Sequence, residues 1–160
     1  MREPLLYLDD LSVGQTFQSA SRTITADDIM RFAGEFDPQP FHLDETAAAH
    51  SPFGGLAASG WHTAALTMRL IVDSVNLAGG VIGAGGAVNW PRPTRPGDTL
   101  QVTSTIVDVT PSRSKPDRGI VKIRSETRNH HGDVVQELTA TLIVRRRPGG
   151  DGPVAVRTPS

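Results

Sequence analysis

The 160-residue chain contains no cysteine. That excludes disulfides, thiolate metal sites and a cysteine nucleophile. Charge of one sign is also lacking: 16 Lys and Arg stand against 17 Asp and Glu, a formal net charge of −1. No global field would gather nucleic acid or an anionic membrane. There is no long uninterrupted apolar run, because the stretch from Leu56 to Ala78 is broken by Ser59, His62, Arg69 and Asp73. A membrane span would not carry that polar load. The N-terminal "MREPLLYLDDLSVG" has no apolar h-region, so no secretory signal is read and a reducing cytoplasm is the expected location. Gly83, Gly85 and Gly86 do not form GxGxxG, and neither GxxxxGK[ST] nor GxSxG occurs. His130 and His131 adjoin in a turn signal, "NHHGD", without the further ligands a tetrahedral metal site needs, so no metal is expected.

What remains is a chain of single-domain length. The expected domain is 1–147. From Pro148 on, the Gly- and Pro-rich tail is expected to be disordered, and Arg145 to Arg147 read as a solvated strand end. Val13 to Thr25 alternates loosely, as a strand does. A helix follows, with Thr25 as cap, Asp27 and Asp28 in the first turn and Gly34 able to end it. "LDETAAAHSPFGG" reads as a short helical turn and a glycine loop. "ASGWHTAALTMRLIVDSVNLAGG" is the strongest helix signal, capped by Ser59 and closed by Gly79 and Gly80. Its apolar residues occupy nearly every face, which predicts full burial against a large surface. The second half supplies strands: "GAGGAVNWPRP", "TLQVTSTIVDV", "IVKIRSETR" and "VVQELTATLIV". Val121, Ile123, Ser125 and Thr127 alternate with Lys122, Arg124, Glu126 and Arg128, a half-buried pattern. Leu138, Ala140, Leu142 and Val144 read as the inner side of the last strand. Strands that run on without βαβ alternation predict an α+β fold, an antiparallel sheet wrapped around a long central helix.

One stretch invites a chemical reading: "GEFDPQPFHLDE", Gly34 to Glu45. Asp37 precedes His42 by five positions. Pro38 and Pro40 fix two φ angles and bias their predecessors toward extended geometry, which stiffens the loop. Spacing alone does not separate an acid/base pair from a capped polar loop. The second feature is "FGGLAASGW", which delivers small residues to the start of the long helix. The first amides of a helix lack internal acceptors and sit at its positive end. At Gly60 no side chain would keep a carbonyl oxygen away. Those glycines serve equally for close packing. Taken together, an acid/base pair and an amide site suit addition or removal of water beside a carbonyl.

The order "FAGEFDPQPFHLDE", "FGGLAASGW", a long helix and then "WPRPTRPGDTL" resembles the MaoC-like dehydratases, the family of (R)-specific enoyl-CoA hydratases. The resemblance spans about Val13 to Val144. It implies a dimeric hot-dog fold and reversible hydration of trans-2-enoyl-CoA, or dehydration of 3-hydroxyacyl-CoA. It implies no cofactor besides the CoA thioester substrate, or its acyl carrier protein counterpart. Asp37 and His42 match the family's catalytic dyad, and Gly60 matches the glycine whose amide makes the oxyanion site. Asp37 is read as the base and His42 as the partner that shares the proton, a split the residues alone do not settle. Gln39 stands where the family usually has Asn, and Ser59 where it often has His. A serine that some members carry further along the helix falls near Met68, with Thr67 adjacent.

Gln39, Ser59 and Trp61 are the expected substrate contacts near this centre. Trp61 reads equally as core or dimer interface, Trp90 could line an acyl pocket, and His62 reads as a core histidine. Arg113 and Lys115, in "PSRSKPDRG", are the loop cations expected to meet CoA phosphates, with Arg92 and Arg95 in another loop. Two other functions remain open: a hot-dog acyl-CoA thioesterase, and a non-catalytic acyl-thioester-binding subunit.

Overall fold

A computed structural model of the chain describes residues 3–149. The expected disordered tail falls, from residue 150 on, outside the described residues; Pro148 and Gly149 form a turn. The elements in chain order are a 3-10 turn (Leu8–Asp10), β1 (Thr16–Gln18), β2 (Arg22–Thr23), α1 (Ala26–Phe36), α2 (Pro40–Leu43), α3 (Glu45–Ala49), α4 (Gly60–Ser74), β3 (Ile82–Asn89), β4 (Thr99–Pro111), β5 (Arg118–Arg128) and β6 (Val134–Arg145). The strands form one antiparallel sheet in the order β1-β4-β5-β6-β3, with β2 also on β4. The expected α+β class, a sheet packed on one long helix, is what forms.

The alternation of β5 does what its sequence predicts. Val121, Ile123, Ser125 and Thr127 are buried, and Lys122, Arg124 and Arg128 are exposed. With Val102, Ile106, Leu142 and Val144 they give the sheet one apolar face, and Leu70, Ile71 and Val75 press on it from the helix side. The expected strand Val13–Thr25 is instead two short pieces. At the break, the Ser19 hydroxyl accepts from the Val102 N–H at 2.9 Å, and the Ser19 N–H donates to the Val102 carbonyl at 2.9 Å. A side-chain oxygen thus stands in for part of the ladder. The register slips by one residue between Gln18↔Thr103 and Arg22↔Leu100, a bulge.

Three helix expectations change. α1 has the predicted Thr25 cap, in a capping box with Asp28, but runs past Gly34 to Phe36. It stops because Asp37 precedes Pro38, and the α region is disfavoured before proline. α4 ends at Ser74, before Gly79 and Gly80. The chain beyond it is drawn straight, because Ala78 donates to Leu6 and Leu6 donates to Asn76, both at 2.8 Å. Nor is α4 buried all round within one chain. Its sheet side is buried at Thr63, Thr67, Leu70 and Ile71, while Trp61, Met68 and Val72 are 62%, 44% and 50% exposed. Four- and seven-residue spacings place these three on one outward stripe.

Arg146 and Arg147 also depart from a solvated strand end. They pair with Asp9 at 3.0 Å and Asp10 at 2.6 Å, and Arg147 lies 4.7 Å from the centre of the Tyr7 ring. The N-terminal 3-10 turn is thereby fastened to the end of β6.

The register also orients the molecule. The β4–β5 hairpin, closed at Pro111↔Gly119, marks one end of the sheet. The start of β4, the end of β3 and the β5–β6 turn mark the other. The start of α4 lies at this second end, where Ala58 donates to the Thr94 carbonyl at 2.9 Å and the Thr63 and Thr94 hydroxyls meet at 2.9 Å.

Candidate active site

Asp37 is the C-cap residue of α1, its N–H given to the Ala33 carbonyl at 2.9 Å. The chain then makes a tight turn at Pro38, where the Gln39 N–H donates to the Asp37 carbonyl at 2.8 Å, passes Gln39 in extended form, and Pro40 opens α2, a single helical turn. Proline suits that first helical position, since its missing N–H has no helical partner to lose. The turn brings His42 back over Asp37. His42 Nε2 lies 3.3 Å from Asp37 Oδ2, and the His42 side chain is 5% exposed. The loop's stiffness was legible in its prolines; the helical turn that closes the pair was not.

His42 Nδ1 is 2.6 Å from the Ala57 carbonyl. A carbonyl only accepts, so Nδ1 carries a hydrogen and donates it. Nε2, the nitrogen facing Asp37, is then a lone pair in the neutral ring. Both Asp37 oxygens have donors. Ser59 Oγ donates to Oδ2 at 2.7 Å, and Gln39 Nε2 donates to Oδ1 at 2.6 Å. The Ser59 hydroxyl is the largest influence holding the Asp37 carboxyl below the ordinary aspartate value. Burial opposes it, and Gln39 and the charge of His42 add to it.

Ser59 caps α4 and accepts from Trp61 N–H at 3.3 Å. The His62 and Thr63 amides bond to the Ser59 carbonyl. Among the described residues the Gly60 N–H has no hydrogen-bond partner. Gly60 is tightly specified by a second contact. A Cβ there would lie 2.8 to 2.9 Å from three ring carbons of Trp90. Trp90 is held in turn by its indole N–H, which donates to Gln136 Oε1 at 2.8 Å, and by the edge of Trp61, with ring centres 5.3 Å apart. Gln136 is fully buried. A cleft of about 380 Å³ opens between these groups, lined among others by Gln39, His42, Gly60, Thr63, Trp90 and Arg92.

The sequence-predicted residues fall into two groups. Asp37, His42, Gln39, Ser59 and Gly60 come together, although Ser59 is wholly buried and turned to Asp37. Trp61 stands beside them, largely exposed, with its edge on Trp90. Arg113 and Lys115 lie in the β4–β5 hairpin at the opposite end of the sheet. β4 is 13 residues long, about 40 Å at ~3.3 Å per residue, so one chain does not bring them to the cleft. Arg92 does line it. Arg95 instead braces the backbone. Its guanidinium donates to the carbonyls of Phe53 and Gly55, holding the glycine loop that leads into α4. His62 is a core histidine, stacked on Phe32 with centres 4.5 Å apart, and burial pushes its pKa down. Trp90 and Gln136 are the members of the site that sequence reading ranked too low or missed. Trp90 follows β3 and Gln136 precedes Glu137, the β6 partner of Asn89, a relation no local spacing reveals.

Among the described residues no three His, Cys, Asp or Glu side chains converge as metal ligands, and no helix is long and apolar enough to cross a membrane.

Residues 10–129 match the family model described as a MaoC like domain. A crystal structure of a MaoC-like dehydratase from Rhodospirillum rubrum is 60% identical and superposes with a TM-score of 0.88, over 89% of this chain and 99% of that one. The chain is 31% identical to the (R)-specific enoyl-CoA hydratase of Rhodospirillum rubrum over 149 residues, 89% of this chain and 94% of that protein. It is 33% identical to the 3-hydroxybutyryl-CoA dehydratase of Methylorubrum extorquens over 113 residues, 69% of this chain and 70% of that protein. The sheet and the long helix are thus those of a hot-dog domain, and the chain belongs to the MaoC-like dehydratase family.

Proposed function

We propose that the chain is a hydro-lyase that reversibly adds water to a trans-2-enoyl thioester of CoA, or of an acyl carrier protein, and removes it from the 3-hydroxyacyl product. The names of its relatives support the reaction class. The observation that carries the reading is the pairing of Asp37 and His42 at 3.3 Å, with His42 facing the same cleft as Gly60 at the start of α4.

In the hydration direction a water is held between Asp37 and His42 Nε2. Its oxygen bonds to C3 of the enoyl group while its proton passes to the pair. Electrons move to the thioester oxygen, where the Gly60 N–H at the positive end of α4 stabilises the charge. The proton then goes to C2 as the carbonyl re-forms, so the elements of water end on adjacent carbons. The Nδ1 bond to Ala57 supports Nε2 as the atom that carries the proton. Asp37, kept ionised by two donors, steadies the imidazolium and orients the water. This reverses the division of roles read from the residues alone. Every proton is routed through side chains and water, with no cofactor taking part.

We also propose that the chain works as a homodimer. The outward stripe of Trp61, Met68 and Val72 on α4 supports this, as does β3, which pairs only with β6 among the described residues and is exposed along most of its length.

The test is a panel of crotonyl, longer-chain and branched CoA thioesters. Loss of the conjugated enoyl absorbance without release of free thiol is the expected result. Free CoA released faster than conjugation is lost would make the protein a thioesterase. Binding without turnover would make it a carrier subunit.

A further inference from the structure

Two departures from the family pattern, Gln39 and Ser59, converge on one carboxylate. We propose that Ser59 is the positioning residue that ties the dyad to the amide end of α4, with Gln39 holding the other side of Asp37. The inference rests on the hydro-lyase reading and adds to it which side chains place the anion.

The geometry is specific. Ser59 Oγ has one hydrogen, given to Asp37 Oδ2 at 2.7 Å, and its lone pair accepts from Trp61 N–H at 3.3 Å. One oxygen atom therefore touches both halves of the site, the carboxylate and the first turn of the helix. Ser59 is wholly buried, so water does not compete for either bond. Gln39, from the N-cap position of α2, fixes Oδ1 at 2.6 Å. A carboxylate bonded on both oxygens from two different elements loses its rotation about the side-chain bond. It then presents Oδ2 to His42 Nε2 in one orientation. Thr67, further along α4, is committed elsewhere: its hydroxyl bonds Thr127 at 2.6 Å. Met68, near which the resemblance put a serine, is outward and apolar. In this chain the hydroxyl that orients the acid stands at the helix cap.

The groups that act on Asp37 are few. His42, from α2, is the titratable neighbour, and Ser59 and Gln39 are neutral donors. A change in Asp37 titration on altering Ser59 therefore reports the hydroxyl itself. Removing a donor that favours the ionised form raises the pKa. Activity that needs ionised Asp37 then fails at a higher pH.

Three variants separate positioning from capping. Ser59→Ala removes both bonds. Ser59→Gly removes the hydroxyl yet remains an acceptable N-cap residue. Ser59→Thr keeps the hydroxyl. The readouts are the carbon-13 NMR titration of the Asp37 carboxyl, kcat and KM on crotonyl-CoA, and thermal unfolding. Expected are a higher Asp37 titration midpoint in both Ala and Gly variants and a kcat lower by about tenfold with KM nearly unchanged, as for loss of a hydrogen bond to a charged group. The Thr variant restores both. An unchanged midpoint in Ser59→Gly overturns the proposal, as does a loss of kcat that follows stability alone. A wild-type protein inactive across the crotonyl, longer-chain and branched CoA panel, with the midpoint still raised in Ser59→Gly, would keep the clamp and refute the reaction.

Discussion

Replacing Gly60 by alanine is the sharpest perturbation the structure offers. The added methyl would sit 2.8, 2.8 and 2.9 Å from three carbons of the Trp90 indole. Ordinary carbon contacts are about 3.5–4.0 Å, so something must move. The indole is not free to retreat. Its N–H is bonded to buried Gln136, and Trp61 meets it nearly edge-on, at an interplanar angle of 83°. Overpacking of this kind costs about 1–3 kcal/mol. Alanine's better helix propensity returns at most about 1 kcal/mol, and less at a helix end. The net loss is about 1–2 kcal/mol, or a Tm lower by roughly 2–8 °C for a domain of this size. Displacing the first turn of α4 also moves the proposed oxyanion amide. Loss of one such donor lowers kcat by about 10²–10³. The assay is a double-mutant cycle on thermal unfolding, with Trp90→Leu as the second change. Trp90→Leu should be destabilising alone, yet Gly60→Ala should cost almost nothing in its background. Equal costs of Gly60→Ala in both backgrounds would refute the contact, and wild-type kcat in Gly60→Ala would refute the role of the amide.

Two further predictions follow from groups outside the dyad. His62 is buried and its pKa is pushed below the ordinary 6.5, so the unfolded chain takes up a proton there that the folded one resists. Stability should therefore fall as pH drops below about 6.5, and urea midpoints should show a shallower fall in His62→Leu. On α4, Met68→Glu places a charge on the outward apolar stripe. Light scattering at micromolar concentration should show a dimer for the wild type and a monomer for the variant; a wild-type monomer would refute the assembly.

Local pattern carried the fold far. The alternation of β5 and the capping box at Thr25 are short-range relations, and both appear as read. α4 misled for a physical reason: apolar residues on every face signal burial, but a single chain need not supply the burying surface. In the site, the prolines between Asp37 and His42 marked a held spacing, and "ASGW" marked a helix start whose first amides lack helical partners. The bond from Ser59 to Asp37 joins residues 22 positions apart, and the contact of Trp90 with Gly60 depends on how β3 and α4 pack. No periodicity encodes either. Arg113 and Lys115 have the right charge for a phosphate, yet the lengths of β4 and β5 carry their hairpin to the far end of the sheet. Charge in a loop says nothing of where the loop ends.

The central claim is that Asp37 and His42 together add water to an enoyl thioester. It is tested most directly by the initial rate of crotonyl-CoA hydration in wild type, Asp37→Asn and His42→Ala, each checked for an intact fold. Loss of general acid–base catalysis predicts a kcat lower by about 10²–10⁴ in each variant. Wild-type rates in both would contradict the account.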